Sequence, residues 1–242
     1  MNPVITLKAF SDNYIYLYKY DQNCAVVIDP GDSIPVLMYL KEHNLSLSAI
    51  LATHHHSDHA GGTAELKKKT GCKIIGADAK RISNIDNIVE DGQILTFGNK
   101  KIQVISTPGH TSTSVCYYIP KNEQNENGIL FTGDTLFVGG CGRLFECDAQ
   151  TMWASLQKFA SLPGDTKVYC GHEYTLENYE FAMQIEPDNP AILQRNTEIK
   201  QLIKQGKPTI PSTIAKEKET NVFLRADSAE AFAELRRRKD MF

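Results

Sequence analysis

The feature that most constrains this chain is a cluster of four histidines and one aspartate within six residues, in the run Thr53-His54-His55-His56-Ser57-Asp58-His59. The run follows a predicted buried strand, Ala49 to Thr53, and precedes a Gly-Gly pair and a predicted helix. In an extended chain, alternate side chains point the same way. We therefore expect His54 and His56 to converge on one side, and His55 to point away from them.

The cluster continues with Asp58 and His59, one turn later, where the chain bends into the helix. Neutral imidazole and carboxylate groups are ligands that suit zinc, and also iron or manganese. A polar loop that happens to be rich in histidine is the alternative. It is disfavoured because so many potential ligands directly follow a buried strand. The run therefore predicts a metal site.

Three further candidate ligands also follow predicted strands. His110 lies in Ser-Thr-Pro-Gly-His-Thr, Asp134 in Phe-Thr-Gly-Asp-Thr, and His172 in Tyr-Cys-Gly-His-Glu. An α/β architecture gathers its functional site at strand ends of this kind. His43 lies in a helical stretch and is interpreted as a surface residue.

Composition excludes several classes of protein. The chain has 26 Lys and Arg against 29 Asp and Glu, a net charge of −3, which disfavours a nucleic-acid or anionic-membrane binder. Its apolar runs are far shorter than the ~20 residues of a membrane helix. No basic start followed by an apolar stretch marks a secretory signal. Six cysteines without a C-x-x-C pair indicate reduced thiols and a cytoplasmic location.

The pattern along the chain changes after about residue 173. Strands alternating with turns and a few helices are predicted up to about 165, including a hairpin of Ile15 to Tyr20 with Cys24 to Ile28. Helical spacing follows, whereas 207–220, with two prolines, is predicted to be extended. A capping box of Asp227 and Glu230 is expected to open a last helix, 228–239. We therefore predict a β-rich domain, 1–165, and a helical domain, 166–242.

The T-H-x-H-x-D-H run, the later P-G-H, the G-D and the final G-H resemble the metallo-β-lactamase superfamily in order and spacing. The resemblance implies an α/β fold, the αβ/βα sandwich, here with a small C-terminal helical domain. It also implies two divalent metal ions per chain. Zinc is the expected metal, and iron and manganese are the alternatives. The implied ligands are His54, His56 and His110 for metal 1, and Asp58, His59 and His172 for metal 2. Asp134 is the implied bridge between the ions, and His55 is not a ligand on this pattern.

Three further segments resemble the hydroxyacylglutathione hydrolase family, or glyoxalase II: Leu136 to Glu146, Gly171 to Thr175, and Arg236 to Phe242. The resemblance covers the whole chain. It implies hydrolysis of S-(2-hydroxyacyl)glutathione, chiefly S-D-lactoylglutathione, to glutathione and D-lactate in methylglyoxal detoxification. The implied substrate contacts are Arg143, Phe145, Tyr174, Arg236 and Lys239. Some relatives have Tyr where Phe145 stands, so this chain lacks one hydroxyl hydrogen bond there.

The implied mechanism is attack on the thioester carbonyl by a hydroxide that bridges the two ions, with Asp58 and Asp134 as catalytic residues. One alternative is a persulfide dioxygenase of the same superfamily with a single iron. Another is an inactive binding protein, which is disfavoured because all seven ligands are present. Zinc β-lactamases usually lack an Asp at the position of Asp134, so β-lactamase activity is disfavoured. The expected partner is the small glutathione thioester, not a nucleic acid or a membrane, and a monomer is the expected state.

Overall fold

The structure, a computed structural model, describes residues 3–122 and 127–242 of the 242-residue chain. These residues form two compact units. The first unit contains the described residues through Ser106 together with Thr113–Pro120, and the second contains Thr107–Ser112 with the described residues from Lys121 to Phe242. The units are defined by contacts within the chain. The predicted division into a β-rich domain, 1–165, and a helical domain, 166–242, stays a prediction.

The first unit is built on a six-stranded sheet whose strands follow in chain order. They are β1 (Val4–Ala9), β2 (Asn13–Lys19), β3 (Cys24–Ile28), β4 (Ser46–Leu51), β5 (Lys73–Gly76) and β6 (Asn87–Ile88). Strands β1, β2 and β3 are antiparallel neighbours, whereas β3 to β6 run parallel. The same unit contains an antiparallel meander of β7 (Ile94–Phe97), β8 (Lys100–Ser106) and β9 (Val115–Ile119). The predicted hairpin is present as β2 and β3.

Three helices accompany these strands: α1 (Ser33–Glu42), α2 (Ser57–Ala60) and α3 (Thr63–Thr70). Asp32 caps α1 by accepting a hydrogen bond from the backbone N–H of Ile34. Val36 and Leu66, one from α1 and one from α3, are fully buried in the same apolar cluster as Ile50 of β4. This packing fixes the end of β4, and the histidine run begins three residues later.

The second unit pairs β10 (Ile129–Gly133) with β13 (Lys167–Cys170) in parallel, and β13 with β14 (Ser212–Thr213) in antiparallel. A short hairpin of β11 (Leu136–Phe137) and β12 (Gly140–Cys141) follows β10. The helices of this unit are α4 (Ala149–Ala160), α5 (Thr175–Ile185), α6 (Pro190–Lys204), α7 (Ile214–Thr220) and α8 (Ala229–Asp240). Asp134 and His172 therefore each follow the carboxyl end of one of two paired parallel strands.

Two local predictions differ from the structure at helix starts. The segment predicted to be extended, 207–220, is helical from Ile214, because Thr213 caps that helix through the N–H of Lys216 beyond both prolines. The last helix is capped by Ser228, whose hydroxyl accepts from the N–H of Ala231. The predicted cap at Asp227 was therefore one residue too early.

Two global expectations concern the cysteines and membrane spans. All six cysteines lie among the described residues, and none of them forms a disulfide. Across 3–122 and 127–242, none of the helices combines the length and the apolar character that crossing a bilayer would require.

Candidate metal centre and adjoining cavity

The histidine run of the first unit brings several potential ligands together just past β4. His54 is buried, and its Nε2 lies 3.1 Å from Nδ1 of His56. The ring of His55 instead turns toward Asp78, with 3.9 Å between Nδ1 and Oδ2. Helix α2 then carries Asp58 and His59. The arrangement agrees with the alternation expected for an extended run, although the metal-binding role of these residues remains a prediction.

Asp29 is a buried side chain that sequence reasoning missed. Its Oδ1 accepts a hydrogen bond from the N–H of Thr53, and its Oδ2 accepts one from the Thr53 hydroxyl. The same Oδ2 lies 3.0 Å from Nδ1 of His59, and a carboxylate can only accept there. Nδ1 of His59 is therefore the donor, so Nε2 is the atom that would bind a metal. Such a carboxylate partner fixes the tautomer and orientation of a metal-binding histidine.

Asp58 is held by two other residues that its local sequence does not reveal. The amide of Asn13, which is buried at the start of β2, donates to Oδ2 of Asp58 over 3.0 Å. Gly31 packs against the backbone of Asp58 so closely that a Cβ on Gly31 would lie 1.9 Å from its carbonyl oxygen. A side chain at position 31 would therefore displace the backbone that carries Asp58.

The second unit assembles the other three predicted ligands around Asp134. The Oδ2 atom of Asp134 lies 3.4 Å from Nε2 of His110 and 3.3 Å from Nε2 of His172. Nδ1 of His110 is 2.9 Å from the carbonyl oxygen of Arg143, so Nδ1 carries the proton and donates. The ring of His172 stacks on that of Tyr174, with 4.7 Å between centroids and 3° between planes.

These donor atoms fit divalent metal ions. Two ligand atoms bound at about 2.0 Å in a tetrahedral arrangement are about 3.3 Å apart. The separations between neighbouring donors within each unit, 3.1–3.4 Å, are close to this value. The donors are imidazoles and carboxylates, which are compatible with zinc, iron and manganese. Together with the second-sphere partners Asp29 and Arg143, they indicate a metal centre and not a polar loop.

A cavity of about 340 Å³ lies in the second unit. Its lining includes two predicted metal ligands, His110 and Asp134. It also includes all five predicted substrate contacts: Arg143, Phe145, Tyr174, Arg236 and Lys239. The largely exposed ring of Phe145 stands edge-on to His110, with 5.2 Å between centroids. The structure therefore gathers these residues in one cavity, and their role in binding stays a prediction.

The cationic side chains of the cavity already have partners in the protein. Arg236 is buried; its Nη1 donates to the carbonyl oxygen of Cys141, and its Nε and Nη2 donate to Asp240. The ammonium of Lys239, also buried, is 2.5 Å from Oε1 of Glu177. Burial lowers the pKa of Lys239, and Glu177 opposes that change. Arg236 and Lys239 are therefore each already paired with an acidic side chain of the protein.

Cys141, the thiol in this cavity, is not available as a nucleophile. Burial raises its pKa to about 11, and the nearby Arg236 only partly offsets the effect. At neutral pH the group is a thiol, whereas the thiolate is the reactive form. The chemistry of the cavity must therefore come from other groups.

Comparisons with known proteins identify the family. A model of the metallo-β-lactamase superfamily matches residues 10–172, and a model of the hydroxyacylglutathione hydrolase C-terminus matches 173–242. A hydroxyacylglutathione hydrolase of Chromohalobacter salexigens is 44% identical over 259 residues, which cover 100% of both chains. The chain belongs to the hydroxyacylglutathione hydrolase family. The family, the fold class and the hydrolase function predicted from the sequence are thereby confirmed.

Solved structures agree with the metallo-β-lactamase fold of this chain. The crystal structure of ETHE1 from Myxococcus xanthus has a TM-score of 0.73 at 27% identity, covering 97% of this chain and 89% of that one. The crystal structure of TTHA1623 in a di-iron-bound form has a TM-score of 0.63 at 25% identity, covering 90% and 98%. The superfamily fold and the clusters of His and Asp support a binuclear metal centre.

Helix α7 and the residue after it hold the loop between β11 and β12. The buried carboxylate of Glu217 accepts from the N–H of Gly139, and the amide of Asn221 donates to the carbonyl oxygens of Phe137 and Gly140. Gly139 has a φ of 71°, in the left-handed region that favours glycine. The loop leads directly to Cys141 and Arg143. The C-terminal helices therefore fix the backbone on which His110 rests.

Proposed function

We propose that the chain hydrolyses S-(2-hydroxyacyl)glutathione thioesters, chiefly S-D-lactoylglutathione, to glutathione and D-lactate, as a step of methylglyoxal detoxification. One observation carries the proposal: a single cavity is lined both by the predicted metal ligands His110 and Asp134 and by the cations Arg143, Arg236 and Lys239. Such a lining suits a substrate that has a reactive carbonyl at one place and carboxylates at another.

The proposed metal ions are two zinc ions, and the same donors are compatible with iron and manganese. The residues that would hold them are His54, His56 and His110 for one ion, Asp58, His59 and His172 for the other, and Asp134 for both. When bound, the ions supply a water of lowered pKa as nucleophile and a Lewis acid for the carbonyl oxygen. The di-iron-bound form of the similar structure TTHA1623 supports a centre with two metal ions.

The chain's own residues would position the reactants. Asn13 holds Asp58, so that this carboxylate can accept a hydrogen bond from the attacking water and orient it. Asp29 and the Arg143 carbonyl keep the Nδ1 protons on His59 and His110. The leaving group is a thiolate whose conjugate acid has an ordinary pKa of about 8.5, so it departs without a general acid. The reaction therefore needs no acid from the cavity, and we assign no role in it to Cys141.

We also propose a division of labour along the chain. The predicted catalytic domain, 1–165, would contribute six of the seven metal ligands together with Arg143 and Phe145. The predicted helical glutathione-binding domain, 166–242, would contribute His172, Tyr174, Arg236 and Lys239. The proposed partner is the small glutathione thioester alone, without nucleic acid or membrane, and the proposed state is a cytoplasmic monomer.

The single-iron persulfide dioxygenase remains the second candidate within the superfamily. The match of residues 173–242 to the hydroxyacylglutathione hydrolase C-terminus favours the thioesterase over it. Oxygen consumption with glutathione persulfide separates the two.

The deciding experiment follows the thioester absorbance of S-D-lactoylglutathione with the purified protein, before and after chelation and after zinc is restored. We expect hydrolysis that is lost on chelation and recovered with metal. Free thiol should appear in step with the loss of thioester. Metal-replete protein that leaves the thioester intact, or activity that survives removal of all metal, would overturn the proposal.

A further inference from the structure

We propose that Glu177 pairs with Lys239 in the free enzyme, is displaced when a carboxylate of the glutathione portion binds, and thereby sets the affinity for that portion. The inference rests on the proposed function and adds to it a built-in competitor for the substrate. Both residues line the cavity of the second unit. The sequence alone did not predict that Glu177 pairs with Lys239.

Lys239 is the fixed partner of the pair. Its side chain is only 6% exposed, and its ammonium lies 5.6 Å from the ring centroid of Phe181 and 4.6 Å from that of Phe242. Two aromatic faces hold the cation in place and favour it over a neutral amine. The ammonium therefore stays at the cavity wall whichever anion pairs with it.

Glu177 is the exchangeable partner. It lies in the first turn of α5, and its side chain is 61% exposed. A carboxylate this exposed regains its water when it leaves Lys239, so its departure is cheap, whereas an unpaired buried ammonium is not. An incoming carboxylate can therefore take its place, but it must compete with an anion that is always present.

Asp240, the other acid in this region, is not the exchangeable one. It accepts hydrogen bonds from both Nε and Nη2 of Arg236, over 3.1 and 2.8 Å, and Arg143 approaches it to 4.0 Å. Displacing Asp240 would break two charge-assisted bonds of a fork, whereas displacing Glu177 breaks a single contact to Lys239. The geometry therefore assigns the competition to Glu177.

The test compares Glu177→Gln with Glu180→Gln, which removes the same charge from an exposed position on the same helix. KM for S-D-lactoylglutathione and the Kd of glutathione by calorimetry are measured on zinc-loaded protein at two ionic strengths. Removing a competing, partly exposed charge pair should lower both constants about two- to tenfold for Glu177→Gln. The effect should be confined to binding and should shrink at the higher ionic strength. Glu180→Gln should stay close to wild type.

A double-mutant cycle with Lys239→Met completes the test, because Glu177→Gln should have no effect once the ammonium is gone. Unchanged KM and Kd in Glu177→Gln would overturn the inference. Raised constants would also overturn it, by making Glu177 a direct contact of the substrate or a support for Lys239. If the wild type neither hydrolyses lactoylglutathione nor binds glutathione, the proposed function fails. If the wild type does both and Glu177→Gln matches it, the inference alone fails.

Discussion

Replacing Arg236 by alanine should weaken the metal site, not only the binding of substrate. The sequence alone predicts a higher KM with unchanged metal content, because Arg236 is read there as a glutathione contact. In the structure its guanidinium is 5% exposed, and Nη1 donates to the carbonyl oxygen of Cys141 over 3.0 Å. Two residues further on, the carbonyl oxygen of Arg143 orients His110. Arg236 therefore supports the backbone that holds a ligand.

The magnitude follows from the contacts that are lost. A charged hydrogen bond to a buried carbonyl contributes about 1.5–3 kcal/mol, and the pair with the half-exposed Asp240 adds at most about 1 kcal/mol after solvent screening. The free energy of unfolding of Arg236→Ala should therefore fall by about 2–4 kcal/mol. Loss of orientation at a ligand lowers metal affinity roughly tenfold to a hundredfold. KM should rise as well, since the side chain lines the cavity.

The assay has two readouts besides activity: urea unfolding, and competition for zinc with a chromophoric chelator. Arg237→Ala is the matched control, because Arg237 lies on the same helix, is 60% exposed, and its guanidinium donates to the exposed Glu234 and to the sulfur of Met241. It should change neither quantity appreciably. Arg236→Ala with wild-type unfolding free energy and zinc affinity but a raised KM would refute this reasoning and restore the simple substrate contact.

Three further predictions concern metal content, the histidine run and a buried acid. Elemental analysis should approach two metals per chain, and a reproducible value of one at full hydrolase activity would contradict a binuclear site. His56→Ala should lose metal and most activity, whereas His55→Ala should keep both; similar behaviour of the two would show that the ligand set is wrong. Burial raises the pKa of Glu217 above its ordinary 4.5, so the folded state binds this proton more tightly than the unfolded chain. The unfolding free energy of the wild type should then fall as pH rises from the ordinary pKa of a glutamate to the raised pKa of Glu217 in the folded state. Glu217→Gln should make this fall shallower in urea titrations, and equal slopes in the two proteins would count against a raised pKa of Glu217.

The sequence could single out the candidate metal ligands because their signal is local. Four histidines within six residues after a strand are rare, and His110, Asp134 and His172 each follow an apolar strand segment that the sequence marks clearly. The carboxyl ends of neighbouring parallel strands meet at one edge, so strand-end position alone indicates that such side chains are gathered. The structure agrees for β10 and β13, which pair directly.

The residues that support the ligands could not be found in this way. Asn13 reaches Asp58 across 45 positions of sequence, and Asp29 reaches His59 across 30. Each is a polar residue at the end of an apolar run, a pattern equally typical of a turn. Helix α7 was hidden for a different reason, because Pro208 and Pro211 dominate the segment and the helix begins only after both. Sequence spacing indicates the candidate metal ligands, whereas only the packing of distant strands and helices shows which residues hold those side chains in place.

The C-terminal segment combines two tasks that mutation can separate. The backbone of 137–141 makes only the two-residue pairs of a short hairpin, so several of its polar groups need partners from outside. Asn178 of α5 supplies one of these partners, and Glu217, Asn221 and Arg236, from three successive parts of the C-terminal segment, supply others. Lys239 contacts none of this backbone among its described hydrogen bonds and faces Glu177 instead. Variants of Glu217, Asn221 and Arg236 should therefore change stability and metal affinity together, while variants of Lys239 should act on the glutathione portion of the substrate, although the two cations lie only one helical turn apart.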